Sequence, residues 1–252
     1  MRRTRVIPTL LMMEGGLVKT KKFANPTYVG DPTNAIKIFN EKEIDELAFL
    51  DIAATQEGKE PDYDLIEEFA SEAFFPLAYG GGINTLEQAK RILRIGVEKI
   101  VLGDAALRRP ELIAEIADFA GSSSVVVCLD CKKGTFGKSK VHSYTGFKGM
   151  EVDTVEMARK LQSFKAGEII LQAVDRDGMR CGYDIDLVSR VCGEVDIPIV
   201  ALGGANDLDD LVKAQAAGAS ALSAGSFFVF YGRHEAVLIT YPNETVLEEK
   251  LR

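Results

Sequence analysis

Apolar residues in this chain gather into eight short, nearly unbroken runs, at residues 5–11, 46–51, 76–79, 98–102, 124–130, 168–173, 197–202 and 219–224. They are rich in Val, Ile and Leu and of strand length, so they predict strands buried on both faces. Between them the pattern changes period. PDYDLIEEFASEAF and TLEQAKRILRIG carry apolar residues three and four apart, the spacing of amphipathic helices. Strands alternating with helices imply a parallel sheet covered by helices. The chain also repeats itself. Residues 45–52, DELAFLDI, resemble 167–174, GEIILQAV, and residues 75–83, FPLAYGGGI, resemble 197–205, IPIVALGGA. Glu46 and Glu168, Pro76 and Pro198, Gly81 and Gly203, Gly82 and Gly204, and Gly96 and Gly218 all match at one offset of 122. Eight units in two similar halves predict a (β/α)8 TIM barrel, one domain over 1–252, with half-barrels at about 1–120 and 121–230. An open doubly wound sheet gives no reason for such a repeat.

Composition narrows the function. The 252 residues are 46% hydrophobic, and a net charge of −8 with pI near 5.0 leaves no basic stripe for nucleic acid. The basic start MRRTR is followed by a short apolar run that reaches Glu14 without a cleavage site, so no signal peptide is read. The stretch from Ala214 to Gly232 is broken by Gly and Ser and predicts no membrane span. Four cysteines (128, 131, 181, 192) inside elements or tight loops suit reduced thiols in a cytoplasmic protein.

In a barrel the chemistry sits where strands end. Gly203-Gly204 follow the seventh strand and Gly225-Ser226 the eighth, a grouping whose N–H groups and hydroxyl suit a phosphate. Gly80-Gly81-Gly82 after the third strand begin a matching site, but the repeat mate of Ser226 is Asp104, and a carboxylate there repels phosphate. Other polar residues at strand ends are Asp51, Gln172, the loop Asp175-Arg176-Asp177-Gly178, and Asp130, a candidate general base. The first strand, apparent twin of the one ending in Asp130, presents Leu11 instead. Lys19, in the mobile-looking loop EGGLVKTKK, is either a substrate clamp or a surface lysine. The CLDC segment reads as barrel packing: both histidines, His142 and His234, lie too far off in sequence to complete a zinc site, and a redox CxxC belongs at a helix N-terminus. No metal or cofactor is expected.

RVIP, GLVKT, GDP, DELAFLDI, YGGGI, VEKI, VCLDCKK, GEIILQ, DRDG, GYD and GG together resemble the HisF family, the cyclase subunit of imidazole glycerol phosphate synthase, over the chain to about Phe230. The resemblance implies a barrel that docks a HisH-type glutaminase on its N-terminal face. It implies passage of ammonia up the barrel axis to a small phosphorylated ribonucleotide, which is split as an imidazole ring closes. Residue by residue, it places the ammonia gate at Arg5, Glu46, Lys99 and Glu168 and a glutaminase contact at Glu98. Lys19, Asp51, Asp130 and Asp177 fall at the site's lysine and acids, and Gly82, Gly203, Gly204, Gly225 and Ser226 at its phosphates. This chain departs from the family at Leu11, where the first of two catalytic aspartates belongs, at Gly103-Asp104 for Asn-Thr, and at Leu202 and Gln172 for hydroxyl residues. Residues 231–252 form an atypical extension, running YGRHEAVLITYPNE, an apolar β-like stretch with a proline, where the family has an amphipathic helix. These departures suggest a diverged paralogue that passes glutamine-derived ammonia to a sugar amidotransferase making an acetamidino surface-polysaccharide sugar. The alternatives are the authentic cyclase of histidine biosynthesis and, further off, the sister isomerase HisA, which needs both acids and no ammonia gate.

Overall fold

The computed structural model describes residues 3–134, 139–143 and 152–251. Eight parallel strands close into a barrel: β1 (Arg5–Met13), β2 (Leu47–Asp51), β3 (Leu77–Gly80), β4 (Lys99–Leu102), β5 (Val125–Lys133), β6 (Glu168–Ala173), β7 (Ile199–Leu202) and β8 (Ala221–Ala224). Closure comes from β8 pairing with β1, Ala221 opposite Arg5. Followed once around the barrel, the strand registers return displaced by eight residues, the shear of a (β/α)8 barrel. The pairings also carry the sequence repeat. Leu47 lies opposite Leu77 and Ala78 opposite Lys99, and the same positions advanced by 122, Ile169 with Ile199 and Val200 with Ala221, pair likewise.

The helices between strands are α1 (Pro32–Glu41), α2 (Tyr63–Glu72), α3 (Leu86–Ile95), α4 (Glu111–Ala120), α5 (Thr154–Ser163), α6 (Ile185–Cys192) and α7 (Leu208–Ala216), with α8 (Glu244–Lys250) near the C-terminus. Side-chain caps start them. Asp31 takes the N–H of Asn34, Asp62 that of Leu65 and Asp184 that of Leu187, while Thr85 and Gln88 form a reciprocal capping box. Alternate strand residues feed two separate apolar layers. Ile7, Ala48, Ala78, Val101, Val126, Ile170, Val200 and Ala221 fill the barrel interior. Val6, Leu10, Phe49, Ile100 and Ile169 face outward against helix residues such as Phe39, Ile66 and Phe69. Phe49 and Phe69 stack with ring centroids 4.6 Å apart. Burial on both faces is why the strand sequences look unbroken rather than alternating.

Two expectations need correction here. Residues 14–22 are not a loose loop. Glu14 and Gly15, both with positive φ, make a tight turn that sends the chain back along β1 as a hairpin of strands Gly16–Lys21 and Ala24–Gly30. The C-terminal extension is β-like only briefly, in the small hairpin Phe230–Tyr231 with Ala236–Val237. Asn243 then caps α8, whose Leu247 is buried together with Leu251 just beyond it. The Thr4 N–H donates to the Leu251 carbonyl at 3.4 Å, tying the end of α8 to the segment that leads into β1.

Candidate functional site

Polar side chains converge at both ends of the barrel. At the base, Arg5, Glu46, Lys99 and Glu168 form one ring. Lys99 Nζ donates to Glu46 at 2.8 and 2.9 Å and to Glu168 at 3.0 Å, and the Arg5 guanidinium bridges the same two carboxylates from the other side. Each acid is buried and shared by two cations, the arrangement that makes buried charge tolerable. Asp45, which the sequence reading passed over, ties the start of β1 to the tail beside this ring. It accepts from the Val6 N–H at 2.8 Å, pairs with Arg3 at 2.9 Å, and takes the Tyr241 hydroxyl at 3.4 Å. Glu98 also lies at the base and is exposed, but its carboxylate already accepts from the Leu77 N–H at 2.6 Å, tying down the start of β3.

Above the ring lies a void of about 10 Å³, near the lower limit for one water-sized molecule. Ile7, Thr9, Ala48, Val101, Ile170 and Ser223 are among its walls. Thr9 and Val101 also line a larger cavity of about 190 Å³ at the mouth, so the two spaces are stacked along the axis.

Of the candidate site residues, Lys19, Asp51, Asp130, Asp177, Gly203, Gly204, Gly225 and Ser226 all reach this upper cavity. Gly82 does not. Its N–H donates to Thr55 Oγ1 at 3.3 Å and its backbone packs against the chain at Lys59, so it is not among the residues lining this cavity. Its partner, Thr55, comes from a segment 27 residues earlier in the chain, which no local motif announces. Gly203 and Gly204 have φ of +99° and +102°, and a Cβ on Gly204 would collide with the Gly182 carbonyl. Only glycine fits this turn.

Lys19 is no surface lysine. It is buried, and its Nζ donates to the Thr9 carbonyl at 2.8 Å and lies against Gly225, where a Cβ would displace it. Burial lowers its pKa to about 8, the nearby charge of Asp177 opposing part of the effect. Asp130 moves the other way. Burial, then repulsion from Asp104 and Asp177, raises its carboxyl to about 7, against a weak donation from the Cys128 thiol at 3.9 Å. A carboxyl poised near neutrality can both give and take a proton. Asp177 works as a latch, accepting from Thr20 Oγ1 at 2.6 Å and Gln172 Nε2 at 3.3 Å. Its carbonyl also accepts from the Lys22 N–H at 2.9 Å, fastening the hairpin after β1 over the mouth. Asp51 accepts from the N–H groups of Ala53 and Ala54 at 2.9 and 3.0 Å, so its carboxylate is a turn cap that lines the cavity.

Leu11 and Leu50, opposite one another in register, and Leu202 bring hydrocarbon into the same cavity, while Ser143 donates to Asp104 at 3.3 Å. Cys128 and Cys131 both lie within β5. Among the described residues no cluster of His, Cys, Asp and Glu is grouped to hold a metal ion. Arg180, another cavity residue, was not singled out from the sequence, where it is one more charge in a polar loop. No helix of the described residues is long and apolar enough to cross a membrane.

Residues 5–235 match the family model described as histidine biosynthesis protein. The chain is 51% identical to a Vibrio vulnificus protein provisionally named imidazole glycerol phosphate synthase subunit hisF3, over 100% of this chain and 97% of the relative. It belongs to the HisF family. A Pseudomonas aeruginosa HisF-type protein, provisionally named subunit hisF2, is 49% identical over 98% of both chains. The imidazole glycerol phosphate synthase subunit HisF of Streptomyces avermitilis is 39% identical over 90% of each. Within the HisF family, then, this barrel is nearer to the two provisionally named relatives than to that cyclase subunit.

Proposed function

We propose that this HisF-type barrel is the ammonia-receiving subunit of a glutamine-dependent synthase, partnered at its base by a HisH-type glutaminase. In this reading it is a diverged paralogue whose ammonia goes to amidation of an acetamidino surface-polysaccharide sugar, rather than to closing an imidazole ring. The observation that carries the divergence is the acid of β5 left without its counterpart on β1. Asp130 enters the cavity from β5, while the matching position on β1 is Leu11, so ring closure by an acid on each side has lost one of its two groups. Such a group is worth a factor of ~10²–10⁴ in rate. Asp104 adds to the case, since it lines the cavity beside Asp130, whose carboxyl its charge raises, where a second phosphate would have to sit. The ion-paired ring at the base, and the void that stacks between it and the cavity, support retention of the ammonia route. The higher identity to the two provisionally named relatives agrees with a separate branch. Within the cavity, Gly203, Gly204, Gly225 and Ser226 would hold one phosphate, Lys19 would neutralise charge beside it, and Asp130 would exchange the proton.

Family membership itself favours the second reading, a working cyclase of histidine biosynthesis. Purified barrel and glutaminase, supplied with glutamine and the family's ribonucleotide, separate the two. Glutaminase activity stimulated by the barrel without consumption of the ribonucleotide supports the paralogue. Turnover to imidazole glycerol phosphate at an ordinary enzyme rate, ~1–10³ per second, overturns it.

A further inference from the structure

Most charged groups lining the mouth have a hydrogen-bond partner among the described residues. Asp177 holds Thr20 and Gln172, Asp51 caps a turn, and Lys19 is bound to Thr9. Arg176 spans its own loop, donating to the carbonyls of Cys181 and Gly182 at 3.1 and 3.0 Å. Arg180 is among the residues lining the cavity, its side chain makes no hydrogen bond or ion pair among the described residues, and its Nε is buried with no acceptor. A buried donor of a cation left without an acceptor is costly, and folded proteins retain such groups mainly where function requires them.

The backbone holds this side chain in place. Arg180 has φ +50°, the left-handed region that side chains other than Gly and Asn rarely adopt. Gly178 on one side is packed against the Thr20 carbonyl, and on the other the Gly182 N–H donates to the Gly204 carbonyl at 2.8 Å. The loop bearing Arg180 is therefore bonded directly to the glycine turn after β7.

We propose that Arg180 is an anion-binding residue of this cavity, whose guanidinium grips the phosphate of a phosphate monoester seated at Gly203-Gly204 and Gly225-Ser226. The inference rests on the phosphate seat of the preceding section. It adds the residue that supplies directional charge there, since the cavity carries four carboxylates, Asp51, Asp104, Asp130 and Asp177, and Lys19 already has an acceptor. A planar guanidinium bonds two phosphate oxygens at once, which an ammonium cannot do.

Titration calorimetry of the full chain with inorganic phosphate tests this, using Arg180→Met, Arg180→Lys and Ser226→Ala. Affinity should fall about tenfold or more in Arg180→Met, because a charge-assisted bidentate contact is lost, and Arg180→Lys should recover only part of it. An Arg180→Gly variant, freed of the left-handed strain, should lose phosphate in the same way while melting no lower than the parent, which separates binding from folding. Unchanged affinity in Arg180→Met alongside weakened binding in Ser226→Ala would leave the glycine seat standing and overturn the role of Arg180. Loss in Arg180→Met with none in Ser226→Ala would keep the arginine as an anion site and overturn its place at that seat. Absence of phosphate binding in the parent protein would overturn both.

Discussion

Replacing Asp130 with Asn should stabilise the protein at pH 8 and leave it nearly unchanged at pH 4. The carboxyl is held at about 7 in the folded chain against an ordinary 3.8, first by burial and then by Asp104 and Asp177. At ~1.4 kcal/mol per pH unit, that difference corresponds to about 4 kcal/mol. Because the cavity opens at the mouth, solvent screening reduces the expected effect to about 2–4 kcal/mol. The sign follows from proton uptake. Between pH 3.8 and about 7 the folded chain holds this proton more tightly than the unfolded chain, so the contribution of Asp130 to stability is full below that window and declines across it. Asn cannot ionise and escapes the decline. Urea unfolding of parent and variant at intervals from pH 4 to 9 should show their stability difference growing through the window and flattening above it. A difference that stays constant with pH, or narrows as pH rises, would refute the reasoning and remove the case for Asp130 as a proton donor near neutrality.

At the base, Glu168→Ala strips Arg5 and Lys99 of a shared partner and should cost about 3–5 kcal/mol of stability in urea unfolding, with Glu168→Gln costing less. Leu11→Asp alone should produce no measurable imidazole glycerol phosphate from the ribonucleotide and free ammonia, because Asp104 and Leu202 are still in place; turnover in a product assay would mean that the missing acid was the sole defect. Alkylation at pH 7, followed by peptide mass spectrometry, should modify exposed Cys181 first. Cys131, buried and with its thiol pKa well above the usual range, should react only on unfolding.

The barrel was readable because burial on both faces leaves few choices for a strand residue. All eight expected runs overlap observed strands, their ends differing where a register continues, as in β1 to Met13 and β5 to Lys133, each extended by a hairpin partner. That hairpin was missed after β1 because GLVKTK reads as polar, although Leu17, Val18 and Lys19 are all buried beneath it. A lysine normally marks solvent, and here, among the described residues, the Thr9 carbonyl and the charge of Asp177 help make its burial tolerable. The base ring was legible through the repeat and the family resemblance, since Glu46 and Glu168 share an offset with the glycine pairs. Asp45, Gly82 and Arg180 were harder. Their behaviour depends on Tyr241, on Thr55 and on a positive φ, none of which local sequence spacing encodes.

The latch at Asp177 bears on time rather than on affinity. With the β1 hairpin bonded to Asp177 through Thr20 and Lys22, and joined to the tail hairpin where Lys21 meets Glu235 at 3.4 Å, a molecule can slip past the cavity wall on the hairpin side only as those bonds part. A barrier crossed in both directions slows arrival and departure by the same factor, so the dissociation constant is blind to it. Residence time is not. A ligand that leaves on the hairpin side waits for the latch to part, so the latch adds to how long it stays without changing how tightly it binds.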